Sequence, residues 1–229
     1  MNLADTWHIE KYENVSLISP DTRAVKDYNI GIYETIKILK ANGITIPSHT
    51  VLIFPTEYSS NEVPFSFPEQ NLILIFPIKD DYYHKKEYVM FQYFHELGHL
   101  LTGNFEQTNM WIGELLACSC NFFFYPKNDI QNSFYDISIK QNILSTEHNK
   151  IHFNIIKSNL ISNPYLVYKG QHQIQSALYS YGLIHKEFNF VALLNEFIKY
   201  KNNPKELSKL ILKIHCIINL GSDKIEFKE

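Results

Sequence analysis

The sequence predicts an α+β fold: a small sheet packed on a few helices, completed by a mostly helical C-terminal subdomain. Three observations lead there. Two short β-rich runs, "HTVLIFP" (49–55) and "NLILIFPI" (71–78), lie early in the chain. Apolar residues recur at helical spacing on either side of them. From Lys127 onward the pattern is mostly helical, broken by turns at "SNP", "KG" and "NNP". A soft boundary near 126 therefore separates residues 1–126 from a helical stretch, 127–229, unless the two form one compact domain.

Taken in order, the chain starts irregularly and then enters "TRAVKDYNIGIYETIKILKANG". Val25, Ile32, Ile36 and Leu39 mark one helical face there, and Asn42-Gly43 supplies a C-terminal stop. The run from His49 to Pro55 reads as a strand closed by proline, and a polar, proline-containing loop from Thr56 to Gln70 follows. Asn71 to Ile78 is the stronger strand. The charged stretch "KDDYYHKKEY" leads into a helix from about Lys85 to Leu101, with Tyr88, Phe91, Phe94, Leu97 and Leu101 at helical spacing. Gly103 ends it. A further helix starts near Thr108 or Asn109, both good N-caps, and runs through "MWIGELLACSCNFFFY" to Pro126.

Composition excludes several classes of function. A hydrophobic fraction of 45% and a charged fraction of 20% describe a globular chain rather than a disordered one. A net charge of −3 argues against a broad nucleic-acid footprint. The longest apolar run is too short to span a bilayer, and the N-terminus lacks the apolar segment of a standard signal peptide. Three cysteines, Cys118, Cys120 and Cys216, are too few for a disulfide framework and read as small buried side chains.

The chemistry concentrates in "FHELGHLLTGN". His95 and His99 are four apart, so a helix stacks them one turn above each other on one face. Both rings can then aim a nitrogen at one metal ion. Glu96 flanks that face and suits a base that takes a proton from a metal-activated water. Histidine, glutamate, two residues, histidine is the spacing of zinc metallopeptidases. Gly98, between the histidines, lets another element approach the helix closely.

This "HELGH" after an apolar strand resembles the zincin metallopeptidases. The resemblance covers residues 71–103, extends plausibly to 126, and implies a sheet lying against the active-site helix. Its edge strand would bind extended substrate, a role that falls to "NLILIFPI" here. A catalytic zinc usually has three protein ligands, and in the gluzincin branch the third is a glutamate on the next helix. Glu114 fits, set among Trp111, Ile112, Leu115 and Leu116, where an unpaired charge is costly. Glu106 is its nearest rival. The third histidine of the metzincin branch is missing. The pattern is also similar to the ImmA/IrrE-type regulatory peptidases, although no helix-turn-helix precedes it. A narrower resemblance is to the RavK-type bacterial type IV effector proteases. It implies actin as the protein substrate and export to a host cytosol, where the ImmA/IrrE reading implies the bacterial cytoplasm.

Other constellations are weaker. His148 and His152 repeat the spacing, but Asn149 stands where the base would be. Candidate oxyanion stabilisers are His172, Tyr165, Tyr168, Tyr179 and Tyr181. "KYKNNPKELSKLILK" reads as a solvated amphipathic helix. The sequence thus predicts a zinc metalloendopeptidase with His95, His99 and Glu114 on the metal and Glu96 as base. The alternatives are a zinc-binding module without activity and a helical interaction protein in which the histidines are incidental. Oligomeric state leaves no mark in the sequence.

Overall fold

A computed structural model describes residues 7–54, 64–76, 86–105, 110–124 and 189–219. The chain divides into two units, Met1–Leu101 and Thr102–Glu229, a boundary earlier than residue 126. A small mixed sheet together with helices makes the fold α+β. No helix among the described residues is long and apolar enough to cross a membrane.

The first unit carries a five-stranded sheet in the order β1-β2-β3-β5-β4. β1 (His8–Tyr12) and β2 (Val15–Ser19) form an antiparallel hairpin, in the region expected to be irregular. Its turn holds Glu13 at φ 51°, a left-handed conformation more often given to Gly or Asn. β2, β3 (His49–Ile53) and β5 (Leu72–Ile75) run parallel. β4 (Phe65–Phe67) adds an antiparallel edge beside β5, inside the stretch expected to be loop. A single 3₁₀ turn, Pro68–Gln70, joins the two, and Asn71 takes the left-handed conformation that lets β5 begin.

Between β2 and β3 lies α1 (Thr22–Ala41). Asp21 caps its start by accepting a bond from the Arg23 N–H at 2.8 Å. Its end is a Schellman turn. Gly43, at φ +74°, donates to the Lys40 carbonyl, and Ile44 reaches back to the Leu39 carbonyl. Both Leu39 and Ile44 are buried, so the same turn closes an apolar contact. Ala24, Val25, Tyr28, Ile32, Ile36 and Leu39 form the buried face. Each large aliphatic group there is worth roughly 1.5–3 kcal/mol of transfer free energy.

α2 (Lys86–Thr102) covers the same face of the sheet. Register puts Glu10, Leu17, Val51, Ile73 and Ser66 in one row across all five strands. Asn29 of α1 donates to Glu10 at one end of that row, and Ser66 donates to Glu96 of α2 at the other. Tyr28 joins the two helices through Gln92, at 3.4 Å. Leu17, Val51 and Ile73, the apolar middle of the row, are fully buried.

In the second unit α3 (Met110–Phe124), α4 (Phe190–Tyr200) and α5 (Pro204–Asn219) are described. Phe190 stacks on Phe123 with ring centroids 4.5 Å apart, which joins α3 to α4. Asn189 caps α4 and Asn203 caps α5, where Pro204 takes the first helical position. Lys213 pairs with Glu196 at 2.9 Å between these last two helices. The basic "KELSKLILK" stretch is thus helical, with Leu210 and Ile214 buried and Leu212 exposed.

Candidate metal centre

α2 brings together three of the four site residues that the sequence singles out. His95 and His99 lie one turn apart, their Nε2 atoms separated by 3.2 Å. Their ring centroids are 4.9 Å apart and the planes cross at 78°. Two ligands about 2.0–2.1 Å from a tetrahedral zinc stand roughly 3.3 Å from one another. The histidine pair already has that spacing. Two imidazole nitrogens so close call for a shared proton or a cation, since two facing lone pairs repel. The donor set fits zinc, which takes imidazole nitrogen readily.

Glu96 is 4% exposed, although it belongs to the same turn as the half-buried histidines. A carboxylate out of water needs partners. Ser66 is one: its hydroxyl lies 2.8 Å from Glu96 Oε2 and 2.6 Å from the Glu96 main-chain carbonyl oxygen. Ser66 comes from β4, thirty residues earlier in the chain. The edge strand is thereby tied to the residue between the two histidines. Gly98 is buried.

A second tie fixes the helix one turn before the site. His49 of β3 holds the Pro47 carbonyl at 2.8 Å through Nδ1 and the Tyr93 hydroxyl at 2.6 Å through Nε2. A carbonyl can only accept, so Nδ1 carries the proton and Nε2 accepts from Tyr93. Burial pushes the His49 pKa below the ordinary histidine value, against the opposing pull of the Pro47 carbonyl. Burial also holds the Tyr93 phenol well above its usual range. Both groups stay neutral, and the bond between them sets the rotation of α2 against the sheet.

Glu114, the expected third ligand, belongs to α3, and its side chain lies outside the described residues. Glu106, His148, His152, Tyr165, Tyr168, His172, Tyr179 and Tyr181 also fall outside them. Among the described residues no group of three ligating side chains gathers. Cys120 is buried, as expected, while the Cys118 and Cys216 side chains are outside the described set.

The structure corrects one expectation about the site. "NLILIFPI" does not offer an open edge, because β5 pairs with β3 on one side and β4 on the other. Among the described residues, the strand with an unpaired edge at this end of the sheet is β4. Sequence reasoning missed Ser66 and the His49–Tyr93 pair. The alternation in "FSF" was the available signal for β4, but nothing in it points to Glu96. The chain matches no known protein-family model and no curated protein.

Proposed function

We propose that the chain is a zinc-dependent metalloendopeptidase centred on His95, Glu96 and His99. The observation that carries this reading is the 3.2 Å approach of the two Nε2 atoms beside a buried carboxylate. A histidine pair serving only structure has no need of an acid placed there at the cost of desolvation. Glu114 is the proposed third ligand, supported by its place on the helix that follows the motif.

Zinc bound there supplies Lewis acidity towards a carbonyl and a water acidic enough to deprotonate near neutral pH. Glu96 accepts the proton of the attacking water as the new C–O bond forms. It then returns that proton to the amine nitrogen as the C–N bond breaks, so the carboxylate is regenerated. His95 and His99 stay neutral throughout and hold position. An extended substrate would add to the open edge of β4, its backbone pairing while side chains choose the sequence.

The substrate is a protein with an accessible extended segment. Actin is the first to try, on the resemblance to RavK-type effectors, which would place the enzyme's work in a host cytosol. The ImmA/IrrE resemblance gives the alternative, a regulatory protease acting in the bacterial cytoplasm. Comparing new N-termini in cells that express wild type or Glu96→Ala tests the reaction and identifies the substrate together. Loss of general acid–base help is expected to slow cleavage by about 10²–10⁴-fold with zinc retained. A Glu96→Ala protein that keeps zinc and cleaves at the wild-type rate would overturn the mechanism. Wild-type protein that holds zinc and produces no new N-termini would favour a non-catalytic zinc module.

A further inference from the structure

We propose that Ser66 is the positioning residue for Glu96, tying the base to the strand that receives the substrate; this rests on the metallopeptidase reading above. Ser66 occupies the middle of β4 and pairs with Ile73, which is fully buried beneath the helices. Its neighbours Phe65 and Phe67 alternate to the other face and are exposed. Serine is an unexpected choice for the covered face, since the middle of that row is Leu17, Val51 and Ile73. A hydroxyl gains its place there by bonding, and both partners within reach belong to Glu96.

Those two contacts hold one carboxylate oxygen and the main chain of the same residue. A hydroxyl has one hydrogen to donate and lone pairs to accept with. While Glu96 is ionised, Oε2 and the main-chain carbonyl both accept, and the single Ser66 proton serves them. Oε1, the oxygen that Ser66 does not hold, is left to take the proton from water and hand it to the amine, while Oε2 goes on accepting from Ser66. The contact between Ser66 and Oε2 is thus the same in both halves of the cycle. Anchoring Oε2 also fixes the twist of the carboxylate, which a freely rotating glutamate would have to lose entropy to reach.

The test uses the zinc-loaded full chain and acetohydroxamate, a zinc-chelating probe whose hydroxyl proton is received by a neighbouring carboxylate. Wild type, Ser66→Ala, Ser66→Thr and Glu96→Gln are each expected to hold about one equivalent of zinc. Acetohydroxamate should bind about 10- to 100-fold more weakly to Ser66→Ala, the scale of a lost hydrogen bond to a charged group. Glu96→Gln should lose at least as much, and Ser66→Thr, which keeps the hydroxyl, should stay within about threefold of wild type. If Ser66→Ala does not fold, Ser66→Cys makes the same comparison with a side chain that is a poor donor. Undiminished binding by Ser66→Ala beside a weakened Glu96→Gln would overturn the role of Ser66 and leave the proposed reaction standing. An equal loss in Ser66→Thr would also overturn it, by reducing Ser66 to packing. Failure of wild type to hold zinc, or wild-type binding by Glu96→Gln, would sink the metallopeptidase reading itself.

Discussion

α1 and α2 lie on the same face of one sheet and differ in the polar side chains that they bury. α1 keeps Arg23, Lys26, Lys37 and Lys40 in water and turns to the sheet a stripe that is apolar apart from Tyr28 and Thr35, the latter bonded to the Gly31 carbonyl of its own helix. α2 buries Gln92, Glu96 and Thr102 among Phe94, Leu97, Leu100 and Leu101. The first arrangement is what stability alone selects. In the second, each polar group taken out of water needs a partner, as Tyr28 provides for Gln92 and Ser66 for Glu96. The contrast separates a helix that holds the unit together from one that carries the proposed site.

That separation can be broken by experiment. The largest effect belongs to His99→Ala, expected to weaken zinc retention by more than about 100-fold, the scale seen for losing even an outer partner of a ligand. Dialysis against a graded chelator measures it. The same variant should change the stability of the zinc-free chain by less than about 1 kcal/mol, because the ring is only half-buried. Ile36→Ala should do the reverse. A fully covered isoleucine cut to alanine costs about 2–5 kcal/mol in urea unfolding, with zinc stoichiometry unchanged. If His99→Ala destabilises as much as Ile36→Ala, the division of labour between the helices is wrong.

Gly43→Ala probes the end of α1 more gently. No atom lies within 4 Å of the added methyl group, so only the left-handed backbone at φ +74° resists it. A loss of about 1–2 kcal/mol is expected. The subtlest test concerns acid. His49 has a folded pKa below its unfolded value of about 6.5, so above that pH both states are neutral and its contribution is fully present. As pH falls below 6.5 the unfolded chain takes the proton first, and stability drops until the lowered folded pKa is passed. The fall in unfolding midpoint between pH 7 and pH 5 should therefore be smaller in His49→Gln than in wild type. An identical fall would remove His49 from the acid response.

How far each feature was legible in the sequence follows its range along the chain. His95, Glu96 and His99 are related by helical spacing alone, so their convergence could be read without a fold. α1 declared itself through a long apolar stripe and an Asn-Gly stop, while its Asp21 cap emerged only in the structure. The β1–β2 hairpin escaped because glutamate, not glycine, takes the left-handed turn position. β4 escaped because three residues carry too little alternation to outweigh the prolines around them. Ser66 had no signal of its own, since its meaning depends on a pairing register and on a helix thirty residues away.

The brevity of β4 has a consequence for how the molecule behaves in a crowd. An unpaired strand edge invites any extended chain, including another copy of the same protein, and sheets left open this way are seeds of aggregation. Three residues offer only a few ladder bonds, and the exposed Phe65 and Phe67 flank them on one face. A chance visitor gains too little from backbone pairing to remain. One that also grips the two aromatic rings stays longer. The short edge therefore offers little to fibre growth, and the proposed substrate would have to bring its own side-chain contacts.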